Sequence, residues 1–507
     1  MASTLSASKI GLKIVDRARR RKGWNKTVTA WQDFAKVSKS TLDRFWMGKP
    51  IKHENFIAIC SAVGIEDWEK IVDLPPLEST KIARKSNLAQ VNQPVILELE
   101  EFGRQVFDWF GALDFKFEGL PRREGNYVEW VIQVPQRRSR FDRVLIRSII
   151  HEAGLGDLDS LRQVVGKLRV DEGWLVTNLW VSQSARQALI HADDDNLACL
   201  TFDELIDQDA DFTPYLDWLE REISKRAIDR YYVDLGCTKG EFDPDTRSLR
   251  GTSKYSVADG GIDRYIDRWL ENPVTEHISI LGEFGTGKTW FALHYAGKCL
   301  RAYREAKLKG MPRPRLPLVI PLRDYAKALD VENVFAGFFY TQHNIRLNSE
   351  VFDRLNRMGK LLLIFDGFDE MADKIDTQKM TDNFWALAKV VTPNAKVILT
   401  CRTEHFPTAQ DGRENLSGER IASVANKIAV APKFETLELM KFDDEQIREV
   451  LSRRTNAATV QLVMANAQLL DLLRRAVMAE FVLEALPEIE AGKPLHLTPH
   501  RIEIHPR

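Results

Sequence analysis

The chain has 507 residues, room for roughly two to four domains, and its 44% hydrophobic content is ample for buried cores. A formal net charge of −1 gives no overall pull toward nucleic acid or a membrane surface, although such a sum hides local asymmetry. The scattered cysteines (Cys60, Cys199, Cys237, Cys299, Cys401) lack the paired spacing of zinc sites or disulfides, and no long apolar run marks a signal peptide or spanning helix, so a cytoplasmic globular protein is expected.

Residues 1–74 read as a first, small all-α unit. Residues 9–26 hold Lys9, Lys13, Arg17, Arg19, Arg20, Arg21, Lys22 and Lys26 against the lone acid Asp16, and Ile10, Ile14 and Val15 recur at helical spacing. From Phe34 to Trp46 the pattern is two short helices joined by a tight turn, with Ser38 placed to cap the second through its hydroxyl. Phe56, Ile59, Cys60 and Val63 fit a later packing helix. This segment resembles the Cro/repressor type of helix-turn-helix, in which Ala35 is the small packing residue. In a DNA reader of that type Lys39, Ser40, Asp43 and Arg44 lie toward the major groove and the basic first helix near phosphates. The same bundle can instead serve as a protein-interaction adaptor, and both readings stay open. Residues 75–95, opening with Pro75 and Pro76, read as a linker.

Residues 96–228 suggest an α/β domain. Phe102, Val106, Trp109 and Phe110 share one face of a helix over 97–110, strands are expected at 127–134, 174–177 and 197–201, and Ser182 opens a helix. The order, and the Val176-Thr177…Ser182-x-x-Ala185-x-x-Ala188 string, resemble the Mrr branch of restriction-endonuclease-like folds. Active members hold Mg²⁺ with a carboxylate and an Asp/Glu/Gln-x-Lys tripeptide on the next strand. Glu129 and Gln133-Val134-Pro135 stand at the matching places here. Proline cannot polarise a phosphate oxygen, so a degenerate, non-cleaving domain is expected, used for nucleic-acid docking or protein contact. The Arg137, Arg138, Arg140 cluster is compatible with phosphate binding, or is a solvated face.

Residues 229–434 carry the strongest signal. Gly282-Glu283-Phe284-Gly285-Thr286-Gly287-Lys288-Thr289 fits G-x-x-x-x-G-K-[ST], after an apolar run at 277–281 and before a helical pattern ending near Leu300. A triphosphate needs many inward-facing backbone N–H groups, which only a glycine-rich turn allows; Lys288 supplies a mobile charge and Thr289 a hydroxyl for Mg²⁺. The apolar strand at 361–365 ends in Asp366-Gly367-Phe368-Asp369-Glu370. Asp366 can hold Mg²⁺, and Asp369 or Glu370 can orient a water against the γ phosphate. A third strand at 395–400 leads to Arg402, placed to sense that phosphate.

These pieces together resemble the NACHT family of STAND nucleotide-binding switches. Further likeness lies in Leu316 to Asp324, which is similar to the family's strand between the two Walker motifs, and in Lys441 to Ile447, similar to the start of its helical domain. The resemblance implies a multidomain α/β protein whose P-loop parallel sheet is followed by a helical domain (435–507 with the tail). It implies ATP/ADP and Mg²⁺ as ligands, slow hydrolysis, an ATP-dependent homo-oligomer, an unidentified activating ligand and, in bacteria, antiviral defence. In the family a proline of the helical domain commonly contacts adenine; Arg475-Ala476-Val477 stands in its place. No winged-helix domain or sensor repeat is found before Arg507, so a short form or a chain without its sensor is expected, and His496, His500 and His505 read as part of a polar tail. The alternative function is a DNA-binding ATPase or regulator acting through the two N-terminal domains.

Overall fold

The computed structural model describes residues 34–49 and 51–63 with a few positions around them, and residues 93–490 apart from 138–139, 192–195, 243–248, 274, 326–330, 373–383, 385 and 406–432. The chain divides into two compact units, Met1–Leu88 and Ala89–Arg507.

In the first unit a short strand β1 (Thr4–Leu5) pairs antiparallel with β2 (Ile51–Lys52), and two helices follow the turn: α1 (Lys39–Trp46) and α2 (His53–Ala62). Phe34 and Ala35 are helical, Lys36 turns the chain at φ +49°, and the Ser38 side chain accepts from the Thr41 backbone N–H. The apolar positions close on one another: Ala35, Leu42, Phe45, Phe56, Ile59 and Cys60 are all buried. Lys39, Ser40 and Arg44 are exposed on α1. Arg19 differs from the phosphate-facing role expected of the basic run, being buried with its guanidinium 5.8 Å from the Trp46 ring centroid. Lys9, Lys13, Arg17, Arg20, Arg21, Lys22 and Lys26 lie outside the described residues, as do most of the linker, Arg138 and the tail after Glu490.

The second unit opens with α3 (Gln93–Ala112) and a sheet of β3 (Lys116–Phe117), β4 (Arg122–Glu124), β5 (Tyr127–Arg137) and β6 (Arg140–Ile149). Helix α4 (Leu155–Leu168) crosses over to β7 (Glu172–Thr177), and α5 (Gln183–His191) to β8 (Leu197–Thr201). Strands β5 and β6 are antiparallel, whereas β6, β7 and β8 run parallel. The sequence pattern had not marked β6 or α4. The charged start of β6, Arg140 to Arg143, masks a strand whose second half is buried on both faces. Glu129 and Gln133-Val134-Pro135 lie together on β5, which covers the strand expected at 127–134. Arg147 of β6 takes the Glu129 carboxylate at 2.8 Å, with 2% and 13% of the two side chains exposed, and also donates to Ser160. A carboxylate neutralised in this way is a poor ligand for a divalent cation.

Helices α6 (Phe202–Asp209), α7 (Thr213–Lys225) and α8 (Ile228–Tyr231) join this sheet to a second one. Its elements are β9 (Cys237–Phe242), β10 (Leu249–Tyr255), α9 (Gly261–Glu271), β11 (Thr275–Gly282), α10 (Lys288–Lys309), β12 (Leu316–Pro321), α11 (Val331–Phe335), α12 (Ser349–Arg357), β13 (Leu361–Asp366), α13 (Phe368–Ala372), β14 (Lys396–Arg402) and β15 (Lys433–Leu439). Strand β15 crosses the 434 boundary read from the sequence. The order is β10-β9-β15-β11-β14-β13-β12, with β15 to β12 parallel and the β9–β10 hairpin antiparallel at one edge. Every residue of β13 is buried, as a strand covered on both faces requires. Four helices complete the unit: α14 (Asp444–Ser452), α15 (Ala457–Met464), α16 (Ala467–Leu473) and α17 (Ala476–Glu490). Among the described residues, no helix is long and apolar enough to cross a membrane.

The two sheets share a contiguous apolar core, running from Leu99 and Trp109 through Tyr215 to Ile280 and Phe365. Strand β12 is an edge strand with unpaired backbone groups; the Tyr215 hydroxyl of α7 accepts the Val319 N–H at 2.7 Å and so closes that edge. Charged pairs rim the joint. Arg313 binds Asp207 through both terminal nitrogens at 2.7 and 2.8 Å, and Lys360 meets Asp203 at 2.7 Å. Arg313→Ala leaves Asp207 without this fork and should lower stability by about 2–3 kcal/mol; an unchanged urea midpoint would show that docking of the two sheets does not rely on the pair.

Candidate nucleotide-binding site

Parallel strands end on a common edge, and that edge collects the chemistry. Gly282 at the end of β11 pairs with Arg402 of β14, and β14 lies between β11 and the Asp366 strand β13. The loop leaving β11 turns through Gly285 (φ +79°) and Gly287 (φ +100°), conformations that side chains resist, and Lys288 then opens α10. The buried Thr286 donates its hydroxyl to the Glu283 carbonyl at 2.9 Å, tying the loop across itself. The Lys288 ammonium rests on the carbonyls of Gly282 and Glu283 at 2.7 and 3.1 Å, and burial pushes its pKa below the ordinary lysine value.

Asp366 is buried, and burial holds its carboxyl above the usual range, although the Thr400 and Thr289 hydroxyls favour its ionised form. Thr400 donates to Asp366 at 2.7 Å and accepts the Gly367 N–H at 2.9 Å, so one hydroxyl orients the whole turn after β13. Asp369 is taken by Arg402 twice, from the backbone N–H at 3.0 Å and from Nε at 2.9 Å. Arg402 also lies 5.0 Å from the ring centroid of the half-exposed Phe284. Glu370 faces the cavity with its carboxyl pushed up by burial, Arg323 opposing that push. All residues read as site candidates, from Gly282 to Thr289 together with Asp366, Asp369, Glu370 and Arg402, therefore gather at the mouths of three neighbouring strands. Lys39, Ser40 and Arg44 belong to the other unit.

The cavity beside them has a volume of about 370 Å³, within the range of small-molecule sites. Apolar and aromatic side chains, Tyr231, Tyr232, Trp290, Phe442 and Val450, also line its wall. The guanidinium of Arg454 stands 4.3 Å from the Tyr231 ring centroid and 5.9 Å from that of Trp290. None of these was singled out in the sequence, nor were Arg226, Arg323 and Thr400; the one local signal available was Thr400, a hydroxyl inside an otherwise apolar strand.

The helical region closes over the loop. Ala476 and Val477 line the cavity where the family's proline was expected, and the Val477 N–H donates to the Gly285 carbonyl at 3.0 Å, a bond proline cannot make. Glu283 is held from the same side by Lys441 at 2.8 Å and Arg475 at 3.3 Å; the hydrogen bond from Lys441 is the main reason its carboxyl titrates below the ordinary range. A Cβ at Gly285 would stand 2.2 Å from Val477 Cγ1. Gly285→Ala should therefore destabilise the unit by about 1–2 kcal/mol or more, and Val477→Ala should recover part of the loss; chemical denaturation of the two single variants and the double variant checks this, and additive losses would sink the steric account.

Residues 276–458 match the family model for the NACHT domain, and residues 102–207 that for NACHT-associated inactive Restriction Endonuclease 1. An uncharacterized WD repeat-containing protein of Nostoc sp. is 55% identical over 440 residues, covering 85% of this chain and 29% of that protein. The chain thus spans under a third of the length of this curated relative. Among solved structures, the Thermotoga maritima RuvB Holliday junction branch migration motor is similar over 45% of this chain and 64% of its own, at 12% identity and TM-score 0.24. Cdc6p from Pyrobaculum aerophilum is similar over 46% and 61%, at 15% identity and TM-score 0.26. The chain carries a NACHT domain of the P-loop NTPase type, preceded by a NACHT-associated inactive restriction endonuclease domain.

Proposed function

We propose that the chain is a slow, Mg²⁺-dependent ATPase switch whose ATP-bound form self-assembles, serving antiviral defence in bacteria. The NACHT domain supports a signalling NTPase as such. The observation that carries the finer reading is one cavity whose wall holds Lys288, Thr289, Glu370 and Arg402 together with the rings of Tyr231 and Trp290, and with Ala476 and Val477 of the helical region. The donor set fits Mg-nucleotide. The buried Asp366 carboxylate beside the Thr289 hydroxyl would hold the ion, the open glycine loop and Lys288 the phosphates, and Tyr231, Trp290 and Arg454 the base. When bound, Mg²⁺ neutralises phosphate charge and polarises the terminal phosphoryl group. Glu370 accepts a hydrogen bond from a water and orients it toward that group; Asp369 keeps Arg402 aimed at the cavity. Opening and closing of the helical region over the loop would convert nucleotide state into assembly, a population shift and not a high-throughput reaction.

The inactive endonuclease domain is read as a docking module, supported by the Arg147–Glu129 pair and Pro135. WD repeats, which name the similar Nostoc protein, are the class of sensor we propose for the activating ligand. Lys288→Ala should abolish binding of ATP and, with it, ATP-induced assembly, and Glu370→Gln should retain binding while slowing hydrolysis at least roughly tenfold. Calorimetry, sizing with ADP or an ATP analogue, and phosphate release check this; parental affinity in Lys288→Ala would sink the site assignment.

A second reading, DNA contact by the first unit, is favoured by the exposure of Lys39, Ser40 and Arg44 on α1. Duplex binding should then weaken with salt and drop further in Lys39→Ala/Arg44→Ala, with no nicking in Mg²⁺. Equal binding by both proteins would assign the unit to protein contact, and robust nicking would overturn the docking role of the endonuclease domain.

A further inference from the structure

A second cavity of about 200 Å³ adjoins the first, and both are walled by Arg226, Thr289, Arg323 and Glu370. On the nucleotide reading Thr289 and Glu370 meet the phosphates, so the wall the two cavities share is where a terminal phosphate would lie. Arg226 is foreign to every element of the P-loop sheet. It caps the C-terminus of α7, the helix that arrives from the endonuclease side of the chain.

Helix α7 is held in place along its N-terminal half and middle. Tyr215 anchors α7 on the edge strand β12, and Arg304 of α10 reaches Asp217 at 2.8 Å and Glu220 at 2.5 Å. Ala227, at φ +49°, turns the chain immediately after Arg226 into α8 and Tyr231. Glu222 takes only the Nε of Arg226, at 3.3 Å, an i,i+4 pair that contributes little to stability. Among the described residues no protein acceptor meets its two terminal nitrogens, and a guanidinium presents these as a fork suited to phosphate oxygens.

We propose that Arg226 binds the terminal phosphate of the nucleotide, a contact supplied from the helix that joins the inactive endonuclease domain to the NTPase sheet. This rests on the nucleotide reading above. It makes the endonuclease domain a partner in sensing ATP against ADP, because a shift of α7 would withdraw the arginine.

The test is calorimetry on the full chain with Mg²⁺ and either ADP or a non-hydrolysable ATP analogue. Arg226→Ala should weaken the analogue roughly tenfold and leave ADP affinity unchanged. Arg226→Lys, which keeps the charge without the fork, should fall between, and it carries the test if the alanine variant fails to fold. Glu222→Gln should leave both affinities unchanged. Equal losses for both nucleotides, or the same selective loss in Glu222→Gln, would overturn the assignment in favour of a structural role. Parental affinity for the analogue in Arg226→Ala overturns this inference alone, whereas a parental chain that binds neither nucleotide overturns the nucleotide reading with it.

Discussion

The close approach of Gly285 to Val477 constrains everything around the site. The loop that must leave its amides open to phosphates is also the seat of the helical region, through the Val477 N–H and through Glu283 between Lys441 and Arg475. Loop and roof cannot move independently, because a shift of either breaks a backbone hydrogen bond and separates two ion pairs. That is the physical basis on which a small change at a phosphate could be amplified into movement of a packed helical body.

The order of the strands does comparable work at the opposite wall. With β14 between β11 and β13, Arg402 emerges between the glycine loop and the Asp366 turn, and Asp369 can hold it from the side. Thr400, two residues earlier on β14, orients Asp366 and Gly367. One strand therefore positions both the cation and the carboxylate turn of the site, and its burial keeps these contacts away from competing water.

The inactive endonuclease domain is not an appendage. It shares the apolar core of the NTPase sheet, closes the exposed edge of β12 with Tyr215, and is rimmed by Arg313–Asp207 and Lys360–Asp203. Where a nuclease would present carboxylates to metal, this domain spends Glu129 on Arg147, under the Tyr127 ring at 3.8 Å. The helices after β8 carry Tyr215 to the β12 edge and Arg226 to the wall of the neighbouring cavity.

The sequence by itself determined the phosphate end. Gly282 to Thr289, Asp366 to Glu370, and Arg402 sit in short strings whose spacing and residue types state their chemistry, because each is a single strand and the turn that follows it. It also determined the helix-turn-helix turn at Ser38, where capping is local. It missed β6, because the charged opening of that strand hid it. Only the tertiary structure decided the rest: the gathering of Tyr231, Trp290 and Arg454 in the cavity wall, the clamp on Glu283 from residues far along the chain, and the placing of Arg226 beside Thr289 and Glu370. Those groups come from separate elements, and their meeting depends on how two sheets and a helical region pack, a three-dimensional arrangement that linear spacing does not encode.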